Sequence, residues 1–209
     1  NQLGQLCQAI PGADVDEVTR ALGHDRRIGK HYLKAGAPYG GPCFPRDNWA
    51  LARIGLEGAE ITDILNAEVL EFLANEVDLA APKGQSSVIG ILGLAYKPGT
   101  PVVEESASIA LARDFKHWEV IVYDPLAMDE ARAVLRDTVT YAKSAQECIE
   151  AADVVVLMHP DADLLPWYSE TLWIDKTVID PWRIMPKVAI PFIGTHISLG
   201  IGPAEKENE

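Results

Sequence analysis

The chain has 209 residues, 48% hydrophobic and 23% charged, a globular composition with room for one large domain or two small ones. Eighteen Lys and Arg stand against 31 Asp and Glu, and the resulting net charge of −13 is spread along the chain, a field that repels nucleic acid and anionic membranes. The longest apolar run, Val88 to Tyr96, has nine residues where a bilayer-spanning helix needs roughly 20, and the first residues lack the basic and apolar regions of a secretion signal.

Asp14, followed by Glu17, Val18, Ala21 and Leu22 and a stop at Gly23, predicts a short capping-box helix ended by a glycine cap. The stretch from Gly36 to Pro45 holds three Gly and three Pro around one Cys and predicts a shaped loop. Helical period returns from Asp47 in Trp49, Leu51, Ala52 and Ile54 and lapses at Gly55 and Gly58. It resumes in Ile61, Ile64, Leu65, Val69, Phe72, Leu73 and Leu79 until Pro82. An amphipathic helix this long in so small a chain either crosses the domain or packs against another copy of itself.

Beyond Ala81-Pro82-Lys83-Gly84 short apolar runs alternate with helical segments. Strands are predicted at Val88 to Leu94, Val120 to Tyr123, Val139 to Tyr141, Val154 to Met158 and Val178 to Ile179. Helices are predicted between them at Ser106 to Trp118, Met128 to Arg136 and Ser144 to Ala152, the alternation of a parallel doubly wound sheet. The fold class is therefore α/β, with a helical segment over 1–82 and a Rossmann-like sheet domain over 83–209. The charged tail Glu205 to Glu209 is expected to fray, and no internal repeat is present.

Cys43 is the leading chemical candidate. Gly40 and Gly41 before it remove side chains that would screen a thiol, and Arg46 after it supplies a cation that favours thiolate, the nucleophilic form. Asp47, at the start of the next helical segment, is placed to orient a water or relay a proton. Cys7 and Cys148 lie among apolar helical neighbours and are expected to be buried and inert. Three thiols, an odd number, point to reduced cysteines in a cytoplasmic chain rather than a disulfide framework.

The octet GGPCFPRD resembles the active-site cysteine motif of the UDP-glucose/GDP-mannose dehydrogenase family, commonly GGSCFPKD. The preceding LCQAIPGADVDEVTRALGHDRRIG is similar to that family's central helical domain. The later ILGLAYKPGTPVVEESAS is similar to the start of its C-terminal nucleotide-sugar domain, commonly ILGLAFKPxTDDxRESP. The three segments stand in the right order at plausible spacings, and the resemblance covers nearly the whole chain.

The resemblance implies oxidation of the C6 hydroxymethyl of a nucleotide sugar to a carboxylate with two NAD⁺ and one water. In that chemistry the cysteine forms first a thiohemiacetal and then a thioester that water cleaves. Carried onto this sequence, it makes Cys43 the nucleophile and Asp47 its partner in proton transfer. It puts Lys34, Tyr39 and Gly40 in the sugar pocket and sends Arg27 to the substrate of the other subunit of a homodimer built on the central helix. UDP-glucose is the first-choice substrate, with GDP-mannose or another UDP-hexose as alternatives, and bacterial envelope or capsule polysaccharide synthesis is the implied setting.

Lys97 sits in a strand-to-helix loop of a doubly wound sheet, where a cation suits pyrophosphate or uronate oxygens, and Ser106 would start a helix whose N-terminus points at anions. Asp124-Pro125 fits either a ribose contact or a structural turn. Three departures from the family pattern stand out: Pro101-Val102 replace its Asp-Asp, Glu104 replaces its Arg, and Asp180-Pro181-Trp182-Arg183 replaces its common Asp-Gly-Arg-Asn or Asp-Gly-Arg-Arg. Arg183 is the substitute candidate for a substrate contact. The five histidines are scattered, so no metal is predicted, and Trp167, Trp173 and Trp182 are expected to pack in the core or at its edge.

No GxGxxG follows a strand and opens a helix, so no NAD site is predicted in this chain. In the family that fingerprint belongs to an N-terminal domain, which would lie before Asn1. The chain is thus expected to be the C-terminal portion of a longer dehydrogenase and inactive alone. The rival expectations are a nucleotide-sugar-binding or dimer-assembly module without dehydrogenase activity, and a thioesterase-like cysteine enzyme.

Overall fold

The computed structural model describes residues 1–82, 86–160, 170–185 and 195–204. Helices α1 (Gln2–Gln8) and α2 (Val15–Leu22) come first, then a loop, α3 (Phe44–Arg53) and the 24-residue α4 (Glu57–Ala80). Strands β1 (Val88–Leu92), β2 (Glu119–Tyr123), β3 (Thr140–Tyr141), β4 (Val154–Leu157), β5 (Thr177–Asp180) and β6 (Thr195–Ser198) follow. Helices α5 (Ala107–Asp114), α6 (Met128–Leu135) and α7 (Ala145–Ala151) lie between them in the chain.

All six strands are parallel, in the order β3-β2-β1-β4-β5-β6. This is the doubly wound order in which the chain reverses direction between β1 and β4 and opens a crevice at the strand C-termini. The predicted five strands and three intervening helices are present, and β6 is an addition. Thr-His-Ile-Ser has a single strongly apolar residue and falls below the hydrophobic signal that marks the others.

Two cores flank the sheet because side chains alternate along each strand. Ile89, Ile91, Val154 and Val156 face Leu73 and Val77 of α4, Ile109 and Leu111 of α5, and Leu135 of α6. Leu92, Val155 and Leu157 face Cys148 and Ile149 of α7, together with Trp173. The second half of the long helix is thus a wall of the sheet's own core. Each fully buried Leu or Val there contributes about 1.5–3 kcal/mol. Its first half leaves Ile61 and Ile64 exposed.

Three local expectations are corrected. The loop ends at Cys43, not Pro45, because Pro45 occupies the first turn of α3, where its missing N–H costs nothing. Asp47 is accordingly inside the first turn rather than at the helix start. Gly58 belongs to α4. Gly23 is the C-cap of α2 as expected, with φ −66°. α5 stops at Asp114, four residues short of Trp118. Cys7 and Cys148 are buried as expected, as is Trp173, and Trp182 is half-buried. Trp167 and the tail Glu205 to Glu209 lie outside the described residues.

Candidate active site

The loop from Ala35 to Cys43 is fixed at three places. At its base the Ala35–Gly36 peptide is held on both sides: the Ala35 carbonyl accepts from Arg183 Nη2 at 2.8 Å, and the Gly36 N–H donates to Asn1 Oδ1 at 2.8 Å. In the middle, Asn66 of α4 grips Tyr39 twice, accepting its N–H at 3.0 Å and donating to its carbonyl at 2.9 Å. The Tyr39 hydroxyl donates to Asp63 at 2.7 Å, and Asn48 Nδ2 donates to the same Oδ1 at 2.7 Å. Burial, followed by the Asp63 carboxylate, pushes the Tyr39 phenol well above its ordinary range, so it remains a donor.

The third place is the loop between β1 and α5. The Gly41 N–H donates to the Glu104 carbonyl at 3.1 Å, and a Cβ on Gly40 would come within 1.9 Å of the Glu105 carbonyl oxygen. Glycine at 40 is therefore demanded by close backbone approach. Glu105 itself has left-handed backbone (φ 50°), a conformation that concentrates at functional loops.

Cys43 emerges from this cradle as the exposed N-cap of α3. A helix N-terminus presents positive potential, and Arg46 adds a cation beside it. Arg46 is held to Asp47 by bonds of 2.9 and 2.8 Å. Its guanidinium is pushed above its ordinary pKa, first by the hydrogen bond to Asp47 and then by the charges of Asp47, Cys43 and Glu104. Glu104, the anion in place of the family's Arg, is the smallest of these influences on Arg46.

Across from the loop lies the β1/β4 crevice. Lys97 is exposed with its ammonium 5.3 Å from the Tyr96 ring centroid, and it borders a cavity of about 100 Å³ with Ser108, His159 and Trp182. Trp182 also walls a larger groove of about 570 Å³ that contains Arg20, Lys30 and Lys34. These cations stand out against a chain of net charge −13. On the α4 side a groove of about 500 Å³ runs along Tyr39, Asp63, Asn66, Glu104 and Arg113.

The structure therefore gathers Tyr39, Gly40, Cys43 and Asp47 on one loop and helix end. Lys34 and Lys97 lie on either side of Trp182. Arg27 stands apart, 89% exposed in its side chain and paired with Asp25 at 2.6 Å. Arg183 is engaged with protein groups: Nε and Nη2 donate to Asp16 at 2.9 and 3.0 Å, Nη1 to Pro181 and Leu199 carbonyls at 2.7 and 3.0 Å, and Nη2 to Ala35. Those five bonds match the five N–H groups of a guanidinium.

Asp124 resolves to the structural turn. Its buried carboxylate accepts the N–H groups of Leu94, Ala95, Leu126 and Ala127 at 2.7–3.2 Å. His159 Nε2 donates to the Ala95 carbonyl at 2.6 Å, and the Ser106 hydroxyl donates to the Leu94 carbonyl at 2.7 Å instead of capping α5. Together they set the path of the loop that carries Lys97. Among residues the sequence analysis missed, Asp63 and Asn66 are spaced i, i+3 on one helix face, a polar pair within an apolar run that could have drawn attention.

A parallel, doubly wound sheet with a cysteine-bearing loop packed against the loops at its strand ends defines an α/β protein with a Rossmann-like fold. The model of the UDP-glucose/GDP-mannose dehydrogenase family, central domain, matches residues 1–70, and that of the same family's UDP binding domain matches residues 90–187. The chain belongs to the UDP-glucose/GDP-mannose dehydrogenase family.

It is 31% identical over 173 residues to the UDP-glucose 6-dehydrogenase YwqF of Bacillus subtilis, covering 78% of this chain and 39% of that protein. It is 34% identical over 172 residues to a UDP-glucose 6-dehydrogenase of Pseudomonas aeruginosa, covering 76% and 38%. The solved structure of a UDP-glucose dehydrogenase from Pyrobaculum islandicum superposes with a TM-score of 0.81 at 31% identity, over 96% of this chain and 46% of that one. The chain thus spans less than half the length of these relatives.

Proposed function

We propose that this chain supplies the nucleophile, part of the sugar pocket and the nucleotide-sugar-binding domain of an NAD-dependent nucleotide-sugar 6-dehydrogenase, with UDP-glucose as substrate. The observation that carries the reading is the docking of the Cys43 loop against the β1/β4 crevice through Gly36, Gly40 and Gly41. A nucleotide held in the crevice would have its sugar within reach of the thiol. The helical part over 1–82 and the sheet part over 83–209 divide the work between nucleophile and nucleotide.

Cys43 would add to the C6 aldehyde as a thiohemiacetal and release the acid when water cleaves the thioester, a role that needs a nucleophile whose acyl product still hydrolyses. Asp47, beside the thiol on the first turn of α3, would accept a proton from that water. The Tyr39 phenol, held protonated, and Lys34 would line the sugar pocket, with Gly40 leaving it open. Lys97 would face pyrophosphate or uronate oxygens.

The oxidation itself needs a hydride acceptor, and the loop after β1 does not suit a dinucleotide pyrophosphate. The loop after β1 runs from Gly93 to Ser106 before α5 begins, with Tyr96 and His159 packed into it, where a pyrophosphate requires a tight glycine turn onto the helix. NAD would accordingly be held by residues outside this chain, and the chain alone would not transfer hydride. The helix α4, with Ile61 and Ile64 exposed, would form a homodimer that brings Arg27 to the partner's substrate. Among the described residues no helix is long and apolar enough to cross a membrane. The proposed setting is cytoplasmic work on polysaccharide precursors.

A second reading, a nucleotide-sugar-binding or assembly module, draws on Glu104 beside Arg46 and Cys43 and on the full engagement of Arg183. Calorimetric titration with UDP-glucose, GDP-mannose and NAD⁺ in parallel tests the proposal. UDP-glucose is expected to bind without NAD⁺. Tight NAD⁺ binding would overturn the assignment of the cofactor to residues elsewhere. Cys43→Ala in the complete dehydrogenase is expected to abolish uronate formation, and unchanged turnover would leave the module reading.

A further inference from the structure

We propose that Arg183 is a positioning residue for the Cys43 loop, acting through the Ala35–Gly36 peptide, and is not itself a ligand of the substrate; this rests on the reading of Cys43 as nucleophile and Lys34 as a pocket cation. Its guanidinium is 5% exposed and spans four separate pieces of chain: Asp16 on α2, the Ala35 carbonyl, the Pro181 carbonyl and the Leu199 carbonyl after β6. With five N–H groups in five bonds, no donor is left to offer a ligand.

What the fork holds is informative. Lys34 immediately precedes the gripped carbonyl, and the peptide is fixed from its other side by Asn1. Gly36 then lies against Trp182, the residue before Arg183, so that β5 reaches the loop through two consecutive side chains. Arg183 adopts left-handed backbone (φ 56°), disfavoured for any residue with a side chain. That conformation turns the guanidinium back toward α2 and the loop while the indole of Trp182 covers Gly36. The neighbouring carboxylate, Asp180, is occupied with the backbone N–H groups of Trp182 and Met185 at 3.1 and 2.8 Å and holds the turn in place. The base of the loop is thereby referenced to the sheet. The direction in which Lys34 and Cys43 leave it depends on a fork geometry that lysine cannot reproduce.

The test uses this chain with Arg183→Lys and, as a milder variant, Asp16→Asn, which removes the carboxylate's charge but leaves Arg183 in place. Three quantities are measured well below the unfolding midpoint of each variant: the rate of ligand-free alkylation of Cys43 by iodoacetamide, the affinity for UDP-glucose, and the protection of Cys7 and Cys148 as a check of the fold. Arg183→Lys is expected to change the Cys43 alkylation rate by about threefold or more and to weaken UDP-glucose about tenfold, with the buried thiols still protected. Asp16→Asn is expected to move both in the same direction by less.

An unaltered alkylation rate in folded Arg183→Lys overturns the proposal: with weakened UDP-glucose it marks a direct ligand, and with unchanged affinity a structural staple alone. Failure of the unmodified chain to bind UDP-glucose would instead count against the functional reading. The alkylation comparison, which needs no ligand, would still decide the positioning role.

Discussion

Gly36 lies so close to the indole of Trp182 that a Cβ on Gly36 would fall 2.1 Å from ring atom Cζ3. The ring has little freedom to retreat, because its Nε1 donates to the Met158 carbonyl at 2.8 Å. The start of the cysteine loop and the end of β4 are thus in direct contact through one aromatic plate.

Gly36→Ala should therefore cost about 1–3 kcal/mol by overpacking. Gly58→Ala, in α4 with no atom within 4 Å of the added methyl, should be neutral or gain up to about 1 kcal/mol from helix propensity. Urea unfolding of the two variants side by side checks this, and equal effects would refute the packing argument.

Asn66→Ala removes both bonds to the Tyr39 backbone and should cost about 1–2 kcal/mol. The local consequence is more telling than the global one. Exchange of the Tyr39 amide should accelerate well beyond that of β1 amides, as hydrogen-exchange mass spectrometry would read.

Asp124→Ala leaves four backbone N–H groups around a vacated carboxylate and should cost about 3 kcal/mol. Asp124→Asn should fall between, since one amide oxygen accepts where two oxygens did. Thermal unfolding measures both; a neutral Ala variant would contradict the buried clamp.

Burial pushes the Cys148 thiol up to about 12 from an ordinary value of 9.0. The unfolded chain would lose that proton near pH 9 while the folded protein keeps it, so stability is full below pH 9 and falls as pH rises from 9 toward 12. The slope is on the order of 1 kcal/mol per pH unit. Cys148→Ala should flatten the unfolding free energy against pH over that window. In the unmodified chain at pH 8, iodoacetamide should label exposed Cys43 and spare buried Cys7 and Cys148.

The exposed Ile61 and Ile64 of α4 predict self-association. Sedimentation at micromolar concentration should find a dimer in the unmodified chain and a monomer in the Ile61→Lys, Ile64→Lys double variant. A monomer in both would remove the dimer from the proposal.

The sequence by itself determined the order of β1, α5, β2, α6, β3, α7, β4 and β5, because period-2 and period-3.6 apolar patterns are local and each element's pattern was long enough to read. It also marked the Cys43 loop, since the glycines and prolines from Gly36 to Pro42 disfavour a helix by their backbone chemistry alone. It missed the start of α3, because proline breaks a helix interior but suits a first turn, and only the actual register distinguishes the two. β6 escaped because an edge strand needs few apolar residues.

The roles of the polar residues were decided only by the tertiary structure. Asp124 fitted a ribose contact or a turn equally well until four amides from two separate loops were seen to converge on it. Arg183 suited a substrate contact by residue type, and only the folded chain shows its donors engaged by Asp16, 167 residues away in sequence, and Ala35, 148 away. Apolar burial follows from a residue's own periodicity, whereas a hydrogen bond is defined by a partner, and the partners here come from distant segments that only the folded chain brings together.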